Sequence, residues 1–379
     1  MSRNILIISQ VIPQWYVDLL TKSLGPDSQI DIITGSNVHG RIIKSPTFNS
    51  SSFKSRLVSW YRFYRFVTKW AARNTTKYDL IFATSNPPIN SAIGLKLKKN
   101  FGAPFVFMSW DLYPQVIRAA IHNPVATVVC RAWSSWNARN YPKIDRILTI
   151  GSVMASSIKA DINKNIDVRV IPIGVDTEQM KPIAKQDNLF CIQNGLIDQF
   201  VVLYSGKMGI GHNIEMILSA AESLKDHEDI TFIFIGEGPK YKIVEEYEKR
   251  LKNIKLFPWQ SDDIFPFSMA CGDIGIVTQE ISMSHLFMPS KVYSMMACGE
   301  AVIGICTGND DLSALIKEEG IGLTVTDDEP NTLRDKILTI YSDESKRNCF
   351  NGNSRKVAVE KYDLSVIKGR YSDLFAELI

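Results

Sequence analysis

The sequence predicts an α/β protein built from two doubly wound, Rossmann-like domains that face each other across a cleft. Its 379 residues are enough for two domains that each bury their own core. Short runs rich in Ile, Val and Phe alternate with helix-length stretches, which is typical of parallel sheets covered by helices on both faces. The alternation stops between Pro172 and Pro182 and then starts again, so we expect the domain boundary there.

The predicted strands recur through both halves of the chain. They lie at 4–9, 29–34, 80–84, 105–109, 146–150 and 168–171, and then at 200–205, 231–235, 254–257, 274–277, 301–305 and 323–325. Helical stretches fill the gaps between them. We therefore expect one domain at 1–175, a linker at 176–186, a second domain at 187–362, and a C-terminal helix at 363–379 that crosses back to the first domain.

The composition describes a globular protein without a membrane span. Hydrophobic residues make up 45% and charged residues 22%, and the longest apolar runs have strand length. Six cysteines without metal-type spacing indicate reduced core thiols, so we expect a cytoplasmic protein. Residues 1–180 carry 22 Lys and Arg against 10 Asp and Glu, whereas residues 181–379 carry 21 against 30. The first half is therefore suited to an anionic partner.

Three segments of the second half place glycine or lysine where a strand ends or a helix begins. Gly206, Lys207 and Gly209 follow one strand, and Gly236 and Glu237 follow the next. Pro289, Ser290 and Lys291 precede a short helix that Gly299 ends. Glycines let backbone approach a ligand, and free N–H groups with a lysine can bind phosphate. The alternatives are a glycine-rich connection in the first two cases and helix capping in the third.

The order of these segments resembles the donor domain of GT-B glycosyltransferases. More narrowly, it is similar to the group 1, family 4-like retaining enzymes that build bacterial surface polysaccharides. The resemblance rests on the segments at 204–209, 232–239, 257–260 and 289–304, together with the interdomain segment at 172–176. It implies a nucleotide-sugar donor, UDP-linked, held by Gly206, Lys207, Gly209, Gly236, Glu237, Trp259, Pro289, Ser290 and Lys291.

The sequence departs from that family in its acidic and basic residues. Two glutamates eight residues apart are usual, but Leu286 and Ser294 stand at the matching positions, and Glu280 lies too far upstream to substitute without a shifted loop. A second basic residue usually follows the first glycine turn, where this chain offers His212. The first strand also lacks the common glycine-rich loop.

Asp111 is the candidate catalytic residue. It follows the strand at 105–109, so it would lie at the carboxyl end of the first sheet, where it could orient or deprotonate an acceptor hydroxyl. The alternative is that Asp111 caps the next helix. Because the chain contains no Asp-x-Asp motif, we expect neither a metal nor a cofactor other than the nucleotide-sugar co-substrate, and the lysines would stabilise the diphosphate.

A basic helix in the first half indicates a membrane surface. No acid occurs between Asp31 and Asp79, where nine Lys and Arg residues stand. The helical pattern predicts a core face of Phe53, Leu57, Trp60, Tyr64, Val67 and Ala71. It places a second surface opposite, made of Arg62, Phe63, Arg65, Phe66, Lys69, Trp70 and Arg73. Basic and aromatic residues side by side indicate contact with anionic lipid. Nucleic acid is the rival partner by charge, and we favour lipid because the donor-domain segments point to sugar transfer to membrane-bound acceptors. The alternative is that a neighbouring loop covers the aromatics.

These observations lead to one functional expectation with two alternatives. The expected protein is a cytoplasmic, peripherally membrane-bound glycosyltransferase that transfers a hexosyl or N-acetylhexosaminyl residue to a lipid-linked or polysaccharide acceptor. The first alternative is a nucleotide-sugar 2-epimerase of the same fold. The second is a non-catalytic partner protein, which the missing glutamates would fit.

Overall fold

A computed structural model gives the fold and describes residues 3–121, 123–162, 166–279 and 286–379. The chain divides into two compact units, Met1–Pro172 with Ser365–Ile379 and Ile173–Leu364. Each unit contains one all-parallel sheet. This confirms the prediction of two doubly wound α/β domains.

The first unit has a seven-stranded sheet in the order β3-β2-β1-β4-β5-β6-β7. Its strands are β1 (Arg3–Ile8), β2 (Ser28–Thr34), β3 (Arg41–Lys44), β4 (Leu80–Thr84), β5 (Phe105–Ser109), β6 (Arg146–Thr149) and β7 (Val168–Val170). The sequence pattern missed β3. This edge strand has four residues with a cation at each end, so it lacks the buried apolar run that marks the others.

Helices connect the strands of the first unit. They are α1 (Gln14–Leu24), α2 (Phe53–Ala71), α3 (Asn90–Phe101), α4 (Gln115–Ala120), α5 (Pro124–Asn140) and α6 (Ser152–Ile162). Side chains start the two longest: Ser52 accepts a hydrogen bond from the Ser55 N–H at α2, and Asn123 accepts one from the Ala126 N–H at α5. None of the helices in the described part of the chain is long and apolar enough to cross a bilayer.

The second unit has a six-stranded sheet in the order β10-β9-β8-β11-β12-β13. Its strands are β8 (Phe200–Ser205), β9 (Ile230–Ile235), β10 (Ile254–Phe257), β11 (Ile274–Thr278), β12 (Ala301–Ile305) and β13 (Gly322–Val325). Every residue of β8, β9, β11 and β12 is buried, as expected for strands covered on both faces. The strand order reverses between β8 and β11. Such a reversal opens a crevice at the carboxyl ends of the strands.

The helices of the second unit cover both faces of its sheet. They are α7 (Leu189–Asn194), α8 (Ile214–Ser223), α9 (Tyr241–Glu248), α10 (Phe265–Met269), α11 (Lys291–Ala297), α12 (Asp311–Glu319), α13 (Pro330–Ser342) and α14 (Glu344–Val357). Gly299 follows α11 with a φ of 76° and ends it, as the sequence predicts.

The last helix, α15 (Leu364–Ala376), packs within the first unit. The Tyr371 hydroxyl lies 2.7 Å from the Tyr16 hydroxyl of α1, and the two groups share a hydrogen bond. The rings of Tyr371 and Phe375 contact Phe82 of β4, with centroids 6.3 and 6.1 Å away. An aromatic cluster thus holds the C-terminal segment against the sheet that begins the chain.

Candidate functional site

Two glycine loops of the second unit touch through their backbones. A Cβ atom on Gly236 would lie 2.1 Å from the Gly206 carbonyl oxygen, and one on Gly238 would lie 2.4 Å from that of Met208. Gly206 and Gly236 have φ angles of 147° and 137°, which favour glycine. The Met208 N–H donates to the Glu237 carbonyl at 2.8 Å. The turns after β8 and β9 therefore form one continuous backbone surface.

Lys291, the first residue of α11, brings a cation to this surface. Its Nζ would lie 2.8 Å from a Cβ on Gly206, so the side chain runs directly over that backbone. Nζ also lies 3.9 Å from the centre of the Tyr204 ring. It is buried and has no hydrogen-bond partner among the described residues. Burial lowers the pKa of Lys291 to about 7.

His212 lies at the same turn and does not supply positive charge. Its Nδ1 lies 3.2 Å from the Tyr204 hydroxyl, which donates to the Lys207 carbonyl at 2.8 Å. Burial first, and then the charges of Lys291 and Lys240, lower the pKa of His212 to about 4. The imidazole is therefore neutral at pH 7. His212 is therefore not a second basic residue at this turn, whereas Lys291, which the sequence also named, lies over Gly206.

Tyr204 and Lys240 are two further residues of the site that sequence reasoning missed. Tyr204 is the fifth residue of a buried strand, so the sequence suggests only a core aromatic. Its hydroxyl instead fixes the Lys207 turn, and its ring lies beneath Lys291. The Lys240 ammonium donates to the His212 carbonyl and to the Glu215 carboxylate, each at 2.7 Å.

The remaining predicted donor residues differ in how they are placed. Lys207 is exposed, Gly209 lies against the His212 ring, and Pro289 is buried. Glu237 has an exposed side chain and contributes its backbone carbonyl. Trp259 follows β10, one strand beyond β9, and is 46% exposed. The structure thus brings Gly206, Gly236 and Lys291 together, while Trp259 extends from the neighbouring strand end.

No carboxylate comes from Ser290 or from Leu286 and Ser294, the two positions where the family usually has glutamates. Ser290 is exposed and makes no capping hydrogen bond to α11, which has only seven residues. Leu286 is 2% exposed and behaves as a core residue. Ser294 lies within α11. Glu280 lies outside the described residues.

Asp111 lies directly beyond the carboxyl end of β5 in the first unit. The helix α4 begins at Gln115 after Pro114 and has no side-chain cap, so Asp111 does not cap it. Burial raises the pKa of Asp111 to about 6. The indole N–H of the adjacent Trp110 is buried without a partner in the described part of the chain. A carboxylate and an unused donor therefore stand side by side at this strand end.

The structure corrects the predicted membrane-facing side of α2. Phe63 is fully buried, whereas Phe53 and Leu57, expected in the core, are 47% and 45% exposed. The buried face runs through Trp60, Phe63 and Val67. Compared with the prediction, α2 is therefore rotated about its own axis, so that the side carrying Phe63 packs into the core of the first unit.

The other members of the predicted surface divide into aromatic and basic residues. Trp70 packs against Tyr78 and Phe101, and it is half-buried, as is Phe66. Arg62, Arg65, Lys69 and Arg73 are exposed. The cations therefore face solvent, while the aromatics lie toward the unit.

The described residues contain no cluster of three or more His, Cys, Asp or Glu side chains that could hold a metal ion.

Comparison with known proteins connects both units to sugar-transferring enzymes. The family model described as "Glycosyltransferase Family 4" matches residues 14–179, and the one described as "Glycosyl transferases group 1" matches residues 199–343. A Pseudomonas aeruginosa protein, "Probable glycosyltransferase WbjE", is 24% identical over 87% of this chain and 82% of its own.

Solved structures share the whole architecture. Sucrose-phosphate synthase from Thermosynechococcus elongatus has a TM-score of 0.78 at 16% identity, with 99% of each chain covered. Anabaena HepE in complex with UDP-glucose has a TM-score of 0.73 at 17% identity, over 99% of this chain and 100% of its own. WaaG, a glycosyltransferase involved in lipopolysaccharide biosynthesis, has a TM-score of 0.70 at 13% identity, over 98% and 99%. At these identities the likeness concerns the fold.

Proposed function

The chain belongs to the group 1 glycosyltransferases with the GT-B fold, and from this premise we propose that it moves a hexosyl or N-acetylhexosaminyl residue from a UDP-sugar to a hydroxyl of a lipid-linked or polysaccharide acceptor. The product would belong to a cell-surface glycan. WbjE and WaaG, whose names describe glycosyltransferases, support the reaction type and, in the second case, a surface-glycan role. The complex of HepE with UDP-glucose supports the donor class.

The observation that carries the proposal is the buried Lys291 ammonium without a partner among the described residues. A buried cation is unfavourable unless an anion compensates it, so its place over Gly206 fits a ligand phosphate. The exposed Lys207 lies one residue away from Gly206 and can contact a second phosphate. A charge-assisted hydrogen bond contributes about 1.5–3 kcal/mol, which suits a diphosphate shared by two lysines.

The proposed chemistry uses charge compensation without a metal. The acceptor oxygen forms a bond to the anomeric carbon while the bond from that carbon to the diphosphate breaks. Lys207 and Lys291 stabilise the negative charge that develops on the leaving diphosphate. Asp111 orients the acceptor hydroxyl or takes its proton, and a pKa of about 6 suits that role at neutral pH. Retention of the anomeric configuration follows from the family resemblance.

We also propose that the enzyme works in the cytoplasm, at the inner face of the membrane where lipid-linked glycans are exposed. The exposed cations of α2 support this location: Arg62, Arg65, Lys69 and Arg73. Basic residues near an anionic bilayer each contribute about 1 kcal/mol.

A thermal-shift panel with UDP, GDP, ADP and CMP tests the donor assignment on the parent protein and on Lys207→Ala. A nucleotide at about 100 times its Kd stabilises the folded protein by about 2.7 kcal/mol, which gives a visible shift. We expect UDP to stabilise the parent and to lose most of this effect in the variant. Release of UDP from a matching UDP-sugar in the presence of acceptor then tests transfer. If no nucleotide stabilises the parent, the donor assignment is wrong, and a non-catalytic partner protein becomes the better explanation.

A further inference from the structure

The helix α5 presents an apolar face to solvent. Only Cys130 and Asn137 are buried among its 17 residues. Val125, Val128 and Val129 are 73%, 64% and 55% exposed. Their spacing of three and four residues places them on one side of the helix. Contiguous exposed apolar groups of this kind mark an interaction site in a soluble protein.

The first half of α2 presents a second apolar group. It consists of Phe53, Leu57, Val58 and Tyr61, which are 47%, 45%, 41% and 58% exposed. The buried face of α2 lies on its Phe63 side. These four side chains are therefore not part of the core of the unit.

Both helices are linked to the carboxyl end of the first sheet, where Asp111 and Tyr113 follow β5. The ring of Trp133 in α5 stacks on Tyr113 with centroids 6.2 Å apart and an angle of 18° between the planes. From α2, the Ser59 carbonyl accepts a hydrogen bond from the Gln10 side chain at 3.3 Å, and the Gln10 N–H donates at 2.7 Å to the Asn86 carbonyl, just beyond β4, the strand that pairs with β5. The two apolar groups thus belong to the same region of the first unit, at the strand end that carries Asp111.

The charged residues of these two helices are all basic. No acidic residue occurs at 32–78, which includes α2, or at 112–144, which includes α5. Lys54 and Arg62 of α2 and Arg131 and Arg139 of α5 are exposed on the same two helices as the apolar side chains. A second copy that docked through the same face would bring like charges together. Nucleic acid would match the cations but would leave the valines without an apolar partner.

We propose that the exposed faces of α5 and of the first half of α2 form one docking surface for an anionic lipid bilayer. Valine and aromatic side chains enter the boundary between headgroups and acyl chains, and the flanking lysines and arginines contact lipid phosphates. The surface replaces Phe63, Phe66 and Trp70 as the apolar part of the membrane contact. It holds Asp111 near the bilayer, where the acceptor of the proposed function would present its hydroxyl, and only this last consequence rests on the proposed function.

Vesicle flotation with the full chain tests the proposal. The vesicles contain phosphatidylcholine alone or phosphatidylcholine with phosphatidylglycerol. We compare the parent with Val125→Ser/Val128→Ser/Val129→Ser. The matched control, Leu189→Ser/Ile192→Ser/Ile197→Ser, removes three aliphatic side chains of the second unit that are 45%, 48% and 37% exposed. We expect the parent and the control to float with the anionic vesicles, and the valine variant to bind at least about tenfold more weakly.

Two further variants test how much the basic residues contribute to vesicle binding and which part of α2 belongs to the docking surface. Lys54→Gln/Arg62→Gln/Arg131→Gln should weaken binding to anionic vesicles by about fivefold per residue. Phe66→Ser/Trp70→Ser should leave vesicle binding unchanged. Circular dichroism melting of each variant confirms that it is folded.

Several outcomes would overturn the docking surface. Flotation of the valine variant like the parent would do so, as would equal binding of the parent to both vesicle types. If the parent does not bind vesicles and elutes as a dimer in size-exclusion chromatography, while the valine variant elutes as a monomer, the exposed face would be assigned to a second copy of the chain. If the parent and the valine variant both bind an RNA or DNA oligomer, the basic surface would be assigned to nucleic acid. Flotation without any UDP-induced thermal shift would contradict the proposed function and leave the docking surface standing.

Discussion

Replacing Lys291 with Met should stabilise the empty protein and abolish nucleotide binding. Burial lowers the pKa of Lys291 to about 7 from an ordinary value of 10.5. At about 1.4 kcal/mol per pKa unit, the charged form of this lysine destabilises the fold by about 5 kcal/mol at most. Met fills a similar volume without a charge, so the variant loses this cost and also loses the cation that would meet a phosphate.

The contribution of Lys291 to the free energy of unfolding should depend on pH in a defined direction. Because the folded state binds the Lys291 proton less tightly than the unfolded chain, the unfolded chain holds more protons between about pH 7 and pH 10.5. The free energy of unfolding of the parent therefore rises with pH through this window, and the full cost is present below about pH 7. The Met variant lacks this contribution, so its advantage is largest in mild acid and shrinks toward alkaline pH.

Differential scanning calorimetry at about pH 6 and about pH 9, with and without UDP, measures both effects. In a unit of this size each kcal/mol changes Tm by about 2–4 °C, so a cost of about 5 kcal/mol at most corresponds to a gain of up to about 10–20 °C in mild acid. Two controls accompany the variant. Lys207→Met should lose the UDP effect with little change in stability, because Lys207 is exposed, and Lys225→Met should change neither. A Lys291→Met protein that melts below the parent at about pH 6, or that keeps its UDP shift, would refute the reasoning.

Three further variants test other parts of the molecule. Glu300 is fully buried, neither carboxylate oxygen has a partner among the described residues, and burial raises its pKa well above 4.5. The free energy of unfolding of the parent should therefore fall relative to that of Glu300→Gln as pH rises above about 4.5, by up to about 1.4 kcal/mol per pH unit until the folded pKa of Glu300 is reached. Urea unfolding of both proteins over this pH range measures the difference, and a difference that does not change with pH would contradict the prediction. Asp111→Asn should lower kcat by about 10²–10⁴-fold while the UDP thermal shift stays intact, and full turnover would remove Asp111 from the mechanism. Trp259→Ala should weaken UDP binding by about tenfold in calorimetric titration if its exposed ring stacks on the base, whereas an unchanged Kd would place the base elsewhere.

The sequence predicted the strands and the glycine turns because each has a local signal. Strands β8 and β9 are uninterrupted apolar runs, and a glycine follows each of them. The structure shows why glycine is needed, since a Cβ on Gly236 would overlap the Gly206 carbonyl oxygen. That contact joins two segments 30 positions apart, and no pattern within either segment could indicate it.

The orientation of α2 could not be read from its sequence, because aromatic residues lie on two sides of the helix. The helical pattern fits a core face on Phe53 and Leu57 as well as one on Phe63. Packing with α3 and the aromatic contacts of Trp70 with Tyr78 and Phe101 select the second. Apolar residues of the first half of the helix are thereby left outside, and this face became visible only in the structure.

The position of Lys291 follows from the topology of the second sheet. Strand β8 lies between β9 and β11, so the turns after β8 and β9 lie at the edge where the strand order reverses. The first residue of α11 lies at the same edge, over Gly206. The sequence names Lys291 as a phosphate contact because it stands at the start of a short helix, but nothing in the sequence indicates that it lies near the turn after β8. In the structure the Lys291 side chain crosses over Gly206, so this lysine and Lys207 lie at the same turn. A diphosphate can thus be matched by charge and backbone even though Leu286 and Ser294 offer no carboxylate. Under the proposed function, the absent glutamates therefore bear on how the sugar is recognised more than on whether a nucleotide is held.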